Sequence, residues 1–150
     1  MEAKETLTAS PDMARAREHL PGHSICLCRG DSILTHDGSG IAPMLDFRER
    51  GIRLSGYSAA DRIIGKAAAM LFTAAGIREA YGEVVSEAGA RYLKEHGIPV
   101  SWGILTDEII NRAGTGPCPM EETVRNLEDP EEGVKALEIR SRELAARRKG

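Results

Sequence analysis

One lysine stands alone in an apolar stretch. Between Arg62 and Arg78 the only charged side chain is Lys66, set in Ile63-Ile64-Gly65-Lys66-Ala67-Ala68-Ala69-Met70-Leu71-Phe72. A buried ammonium is costly unless something pairs with it. Lys66 therefore either projects into a pocket, to hold an anion or act as a base of depressed pKa, or its stem snorkels to solvent from a helix edge. Ser86-Glu87 is the next candidate, at a junction from strand to helix, where open α/β sheets gather ligands. Glu87 there suits pairing with Lys66 or acid/base work, but Ser86 is also a plain N-cap and an acid in the first turn favours the helix dipole.

The string Gly116-Pro117-Cys118-Pro119-Met120-Glu121 puts Cys118 at a helix N-terminus, because Pro119 suits the first helical position. Free backbone N–H groups stabilise a thiolate there, with Arg112 close in sequence, whereas Glu121 and Glu122 oppose it. The chemistry would be redox or nucleophilic; the bland alternative is a small buried cysteine in a rigid turn. His23, Cys26, Cys28 and His36 carry metal-ligand atoms within a hairpin, but zinc spacing of the C-x2-C type is missing. Gly38-Ser39-Gly40 ahead of a helix matches no phosphate-loop pattern.

These residues need elements to position them. Ser10-Pro11 reads as the N-cap and first residue of a helix reaching about Leu20, closed by Pro21-Gly22. Residues 23–28 and 32–36 form a β-hairpin turning at Arg29-Gly30-Asp31. Along its first strand Cys26 and Cys28 share one face, and Ile25 and Leu27 the other. Residues 43–50 are an amphipathic helix stopped by Gly51. Ser58 reads as the N-cap of a buried central helix, with Asp61 in the capping-box position and Gly76 at its end. A β-rich run over 77–85, a helix over 86–95, a strand over 98–102, a helical turn over 106–110 and a loop over 111–116 follow. Pro119 opens another helix, and residues 131–148 form a charged one. Strands alternating with helices indicate α/β layers, and the hairpin makes the sheet mixed.

The totals exclude several classes. A chain of 150 residues with 41% hydrophobic and 29% charged side chains suits a soluble globular domain. A net charge of -3, with one Trp, three Tyr and two Phe, supplies neither a basic stripe nor stacking platforms for nucleic acid. No apolar run is long enough to span a membrane, and no signal peptide is evident, so a cytoplasmic location is expected. Three cysteines fit a reducing compartment.

The combination Asp61-x-x-Ile64-Gly65-Lys66-Ala67-Ala68-Ala69, Val85-Ser86-Glu87, Ile109-Ile110-Asn111-Arg112 and Cys118-Pro119-Met120-Glu121 resembles a small prokaryotic family of unknown function. That family is assigned to the cytidine deaminase-like superfamily. The resemblance covers roughly residues 20–128. It implies a three-layer α-β-α sandwich around a mixed sheet, with the Ser58 helix in the place of the deaminase H-x-E motif. The chain departs from the catalytic pattern. Zinc deaminases need His or Cys plus Glu on the first motif and P-C-x-x-C on the next helix, and neither expected position carries the ligands. This argues against zinc-dependent deamination; no metal and no cofactor are expected.

The resulting expectation is a polar segment with a short helix over 1–20, a deaminase-like domain over 21–128 and a charged helix over 129–150. Its cleft would bind a nucleotide-like or other anionic small molecule through Asp61, Lys66, Ser86 and Glu87, with Asn111 and Arg112 as further contacts. Two alternatives stand: an enzyme using Cys118 as its thiol, and a non-catalytic interaction protein, homo-oligomeric or joined to a partner through the C-terminal helix.

Overall fold

The computed structural model describes residues 10–111 and 113–149; residues 1–9, Arg112 and Gly150 lie outside it. Helix α1 (Pro11–His19) begins where the Ser10 side chain accepts the Met13 N–H. Strands β1 (Ile25–Arg29) and β2 (Ser32–His36) form the hairpin, with Gly30 at φ 57°, a backbone that a two-residue turn reserves for glycine. After α2 (Ala42–Glu49) come β3 (Ser58–Ile64), α3 (Lys66–Ala75), β4 (Glu79–Ser86), α4 (Glu87–Glu95) and β5 (Val100–Thr106). Helices α5 (Pro119–Val124) and α6 (Pro130–Lys149) complete the described chain.

The sheet order is β2-β1-β3-β4-β5. β1 is antiparallel to β2 and β3, and β3, β4 and β5 are parallel, so the sheet is mixed. Helices cover both faces, giving the layered α/β architecture. Met13 and Ala16 of α1, with Leu20 just after it, pack on Cys26, Cys28 and Ala60. On the other face Ile25, Leu27, Ala59 and Ala80 meet α2, α3 and α4, and α3 is itself covered by Val134 and Leu137 of α6. The alternation along β1 falls as the sequence predicts.

Two predicted elements are corrected. Residues 58–64 are not the first half of a helix; they are the central strand, paired on both edges. Ala59 and Ala60 are both fully buried, one on each face. A strand buried on both faces shows no alternation, so its apolar run cannot be told from a buried helix by period. Two ladders of backbone hydrogen bonds and the β-branched pair Ile63-Ile64 outweigh the helix propensity of Ala59-Ala60. Ser58 is then no cap: its hydroxyl donates to Glu79 Oε2 at 2.5 Å. The helix starts only after Gly65, at Lys66. Similarly, residues 106–110 form no helical turn; β5 runs on to Thr106, and Ile110 bridges to Pro117.

The β3–α3 and β4–α4 junctions touch at a glycine. A Cβ on Gly89 would lie 2.9 Å from the carbonyl carbon of Gly65 and 3.1 Å from the Ile64 oxygen, both backbone atoms. Helix propensity alone favours Gly89→Ala by about 1 kcal/mol. The contact reverses that sign: overpacking against backbone should destabilise the variant by roughly 1–3 kcal/mol. A urea midpoint lowered accordingly is expected, and an unchanged or raised midpoint contradicts the close approach.

Candidate functional site

The site begins where β3 ends. Gly65 has no side chain to cap α3, so the first N–H groups of that helix need another acceptor. Glu121 of α5 provides it. The Lys66 N–H donates to Glu121 Oε1 at 2.8 Å, and the Ala67 N–H donates to Oε2 at 2.9 Å. Gly65 makes room for this: a Cβ there would fall 2.5 Å from Glu121 Oε2. A carboxylate at this end also meets the favourable pole of the helix dipole.

The Lys66 side chain returns the tie. Its ammonium donates to the Arg125 carbonyl at 3.0 Å and to Glu128 Oε2 at 3.0 Å, with its side chain only 10% exposed. It also lies 5.9 Å from the centre of the Tyr92 ring. Tyr92 stacks on His96 and donates its hydroxyl to the Glu128 carbonyl at 2.8 Å. Burial, and then Glu128, push the Tyr92 phenol up to about 12. The lysine in the apolar wall is thus paired, and with Glu121 and Tyr92 it fixes the segment from α5 to the start of α6.

These ties frame a cleft of about 510 Å³ beyond the carboxyl ends of β3 and β4. Lys66, Ser86 and Tyr92 line it together with Arg91 from α4 and Arg125 from the end of α5. Among the described residues the guanidinium groups of Arg91 and Arg125 have no hydrogen-bond or ion-pair partner. Carboxylates of Glu95, Asp107, Glu108, Glu121 and Glu128 line the same cleft. It presents cations and hydrogen-bond acceptors side by side.

Of the residues singled out in the sequence, the cleft brings together Lys66 and Ser86. Ser86 is buried and caps α4, accepting the Gly89 N–H at 3.0 Å. Glu87 is exposed in the first turn of α4, outside the lining. Asn111 closes its own loop, its Oδ1 accepting the Thr115 N–H at 3.1 Å. Cys118 is half-buried at the start of α5 and is not on the cleft wall, and Arg112 lies outside the described residues. Asp61 is buried on β3, away from the lining.

Sequence reading missed Arg91, Tyr92 and Arg125. Ala88, Arg91, Tyr92 and Glu95 recur at helical spacing on one face of α4, a signal that was available. Arg125 carried no such mark, since it depends on how α5 folds back.

The hairpin histidines and cysteines do not assemble a metal site. His23 pairs with Asp37 at 2.7 Å and His36 with Asp46 at 2.9 Å, while Cys26 and Cys28 are buried beneath α1. Burial, and then Cys28, push the Cys26 thiol up to about 12. Among the described residues no three His, Cys, Asp or Glu side chains form a group able to hold a metal ion. Among the described residues no helix is long and apolar enough to cross a membrane.

Comparison with known proteins adds a family. The model of a domain of unknown function, DUF1893, matches residues 17–139. No curated protein matches the sequence. Among solved structures, a DUF1893 family protein from Thermotoga maritima superposes with a TM-score of 0.73 at 25% identity, over 79% of this chain and 80% of that one. A diaminohydroxyphosphoribosylaminopyrimidine deaminase/5-amino-6-(5-phosphoribosylamino)uracil reductase from the same organism aligns at a TM-score of 0.40 and 16% identity. That match covers 61% of this chain and 35% of the other, too slight a likeness to bear on function.

Asp61 makes the stability of the fold depend on pH. Burial pushes its carboxyl up from 3.8 to about 7, against smaller opposing contributions from the Ile63 and Arg62 backbone amides. Between those values the folded state keeps a proton that the unfolded chain has released, so stability falls as pH rises from 3.8 to about 7. Asp61→Asn removes that loss. Above neutral pH the variant should be more stable than the parent by on the order of 4 kcal/mol, with the gap closing toward pH 4. Parallel urea titrations check this; a gap independent of pH contradicts it.

Proposed function

The chain belongs to the DUF1893 family, a domain of unknown function, and we propose that its cleft binds an anionic small molecule of nucleotide-like type. The observation that carries this reading is the pair of unpartnered guanidinium groups, Arg91 and Arg125, which line the cleft together with Lys66 beyond the carboxyl ends of β3 and β4. Arginine presents several N–H donors in a fork that matches phosphate oxygens. The carboxylates on the same walls limit the choice of ligand. A simple anion meets repulsion from them, whereas a sugar phosphate gives its phosphate to the arginines and donates its hydroxyls to Glu95, Asp107 or Glu108. Acidic residues hold ribose hydroxyls in this way in dinucleotide sites.

On this reading the protein is a zinc-less relative of the deaminase layout that binds rather than hydrolyses. Its sequence lacks the His or Cys and Glu of the first deaminase motif and the P-C-x-x-C of the second at the positions where the layout would place them. Lys66 acts mainly as the floor of the cleft, because Arg125 and Glu128 already take its donors. The arginines are the residues left to meet a ligand.

A thermal-shift panel of ribonucleotides, sugar phosphates and inorganic phosphate tests the proposal. A ligand at a hundred times its Kd should stabilise the chain by about 2.7 kcal/mol, a rise of roughly 5–10 °C for a protein this size. Replacing both Arg91 and Arg125 by Ala should abolish the shift and leave the unliganded melting temperature nearly unchanged. No stabilisation by any member of the panel, or an undiminished shift in the double variant, contradicts the reading.

A further inference from the structure

Strand β5 forms one edge of the sheet, bonded to β4 on its inner side. Among the described residues nothing bonds to the backbone of β5 on its outer side. Natural edge strands are guarded by charge, by proline or by brevity. Val100–Thr106 has seven residues without a charge or a proline, and Ile104 and Leu105 are 62% and 41% exposed. The apolar surface continues inward, since Ile104 pairs in register with Val84, and Val84 with Ile63, itself 51% exposed. The opposite edge, β2, is shorter and ends at His36, with Asp37 just beyond it.

We infer that β5 is the surface through which two copies of this chain join, edge to edge and antiparallel, into one continuous sheet. A two-fold axis across a strand makes the pairing antiparallel and self-complementary, so one sequence supplies both halves of the ladder. Charge favours the same arrangement. Asp107 and Glu108 directly follow β5, while the Lys94 ammonium lies 5.3 Å from the ring centre of Trp102, in its first half. Antiparallel pairing sets the acidic end of one copy beside the lysine-bearing half of the other; parallel pairing would set acid beside acid. Asp107 and Glu108 also line the cleft, so the contact borders that site, but it uses neither Arg91 nor Arg125, and sedimentation without ligand tests it apart from ligand binding.

Sedimentation of the full chain across the micromolar range tests this, with Ile104→Lys on the proposed edge and Ile33→Lys on the other. The parent and the Ile33 variant should be dimers, and the Ile104 variant should associate about ten-fold or more weakly while melting normally. A parent that stays monomeric throughout overturns the inference. So does an Ile104 variant that dimerises as well as the parent, or a dimer broken by the Ile33 change instead. Hydrogen exchange on the parent decides the matter if the Ile104 variant fails to fold. Protection of the 100–106 amides should rise with protein concentration, and constant protection overturns the proposal.

Discussion

The structure turns on an exchange of partners at the start of α3. A helix N-terminus at the centre of a fold leaves backbone donors unpaired, and here Gly65 brings no side chain to satisfy them. Glu121 supplies both carboxylate oxygens, and Lys66, whose own amide is one of those donors, sends its ammonium back to the Arg125 carbonyl and Glu128. Each half stabilises the other. The carbonyl matters more than the ion pair, because Glu128 is 72% exposed and water screens it. Removing either side would leave buried polar groups unpaired, which costs about 1–3 kcal/mol for each.

This exchange also explains the shape of the cleft. Helix α5 is short, with no side-chain cap of its own, and α3 holds it in place. Once held, it brings Arg125 to the same cleft as Arg91 of α4, while the Tyr92 hydroxyl on the Glu128 carbonyl ties α4 to the segment that follows α5. The Glu121 carboxylate already occupies the anion position at the α3 terminus. In the proposed binding mode, the ligand's negative charge therefore goes to the arginines and not to the helix end.

Local signals in the sequence were dependable where a single residue decides the backbone. Ser10 and Ser86 are N-caps, Gly76 ends α3 in the left-handed conformation, and Pro119 opens α5. The reading failed at Ser58, where burial on both faces hid the strand period and a capping pattern offered a plausible helix start. The oddity of Lys66 was visible, but its partners were not. They lie 59 and 62 residues further along the chain, and only the return of α5 onto α3 brings them close. The same holds for Arg125, whose role depends on tertiary placement and not on any motif.

The central claim is that Glu121 clasps the α3 terminus and thereby orders the segment that walls the cleft. Native-state hydrogen exchange on Glu121→Ala against the parent tests it most directly. Loss of protection at the Lys66 and Ala67 amides, spreading over residues 118–128 while the hairpin of β1 and β2 keeps its protection, is the result expected. Unchanged protection at Lys66 and Ala67 would contradict the account.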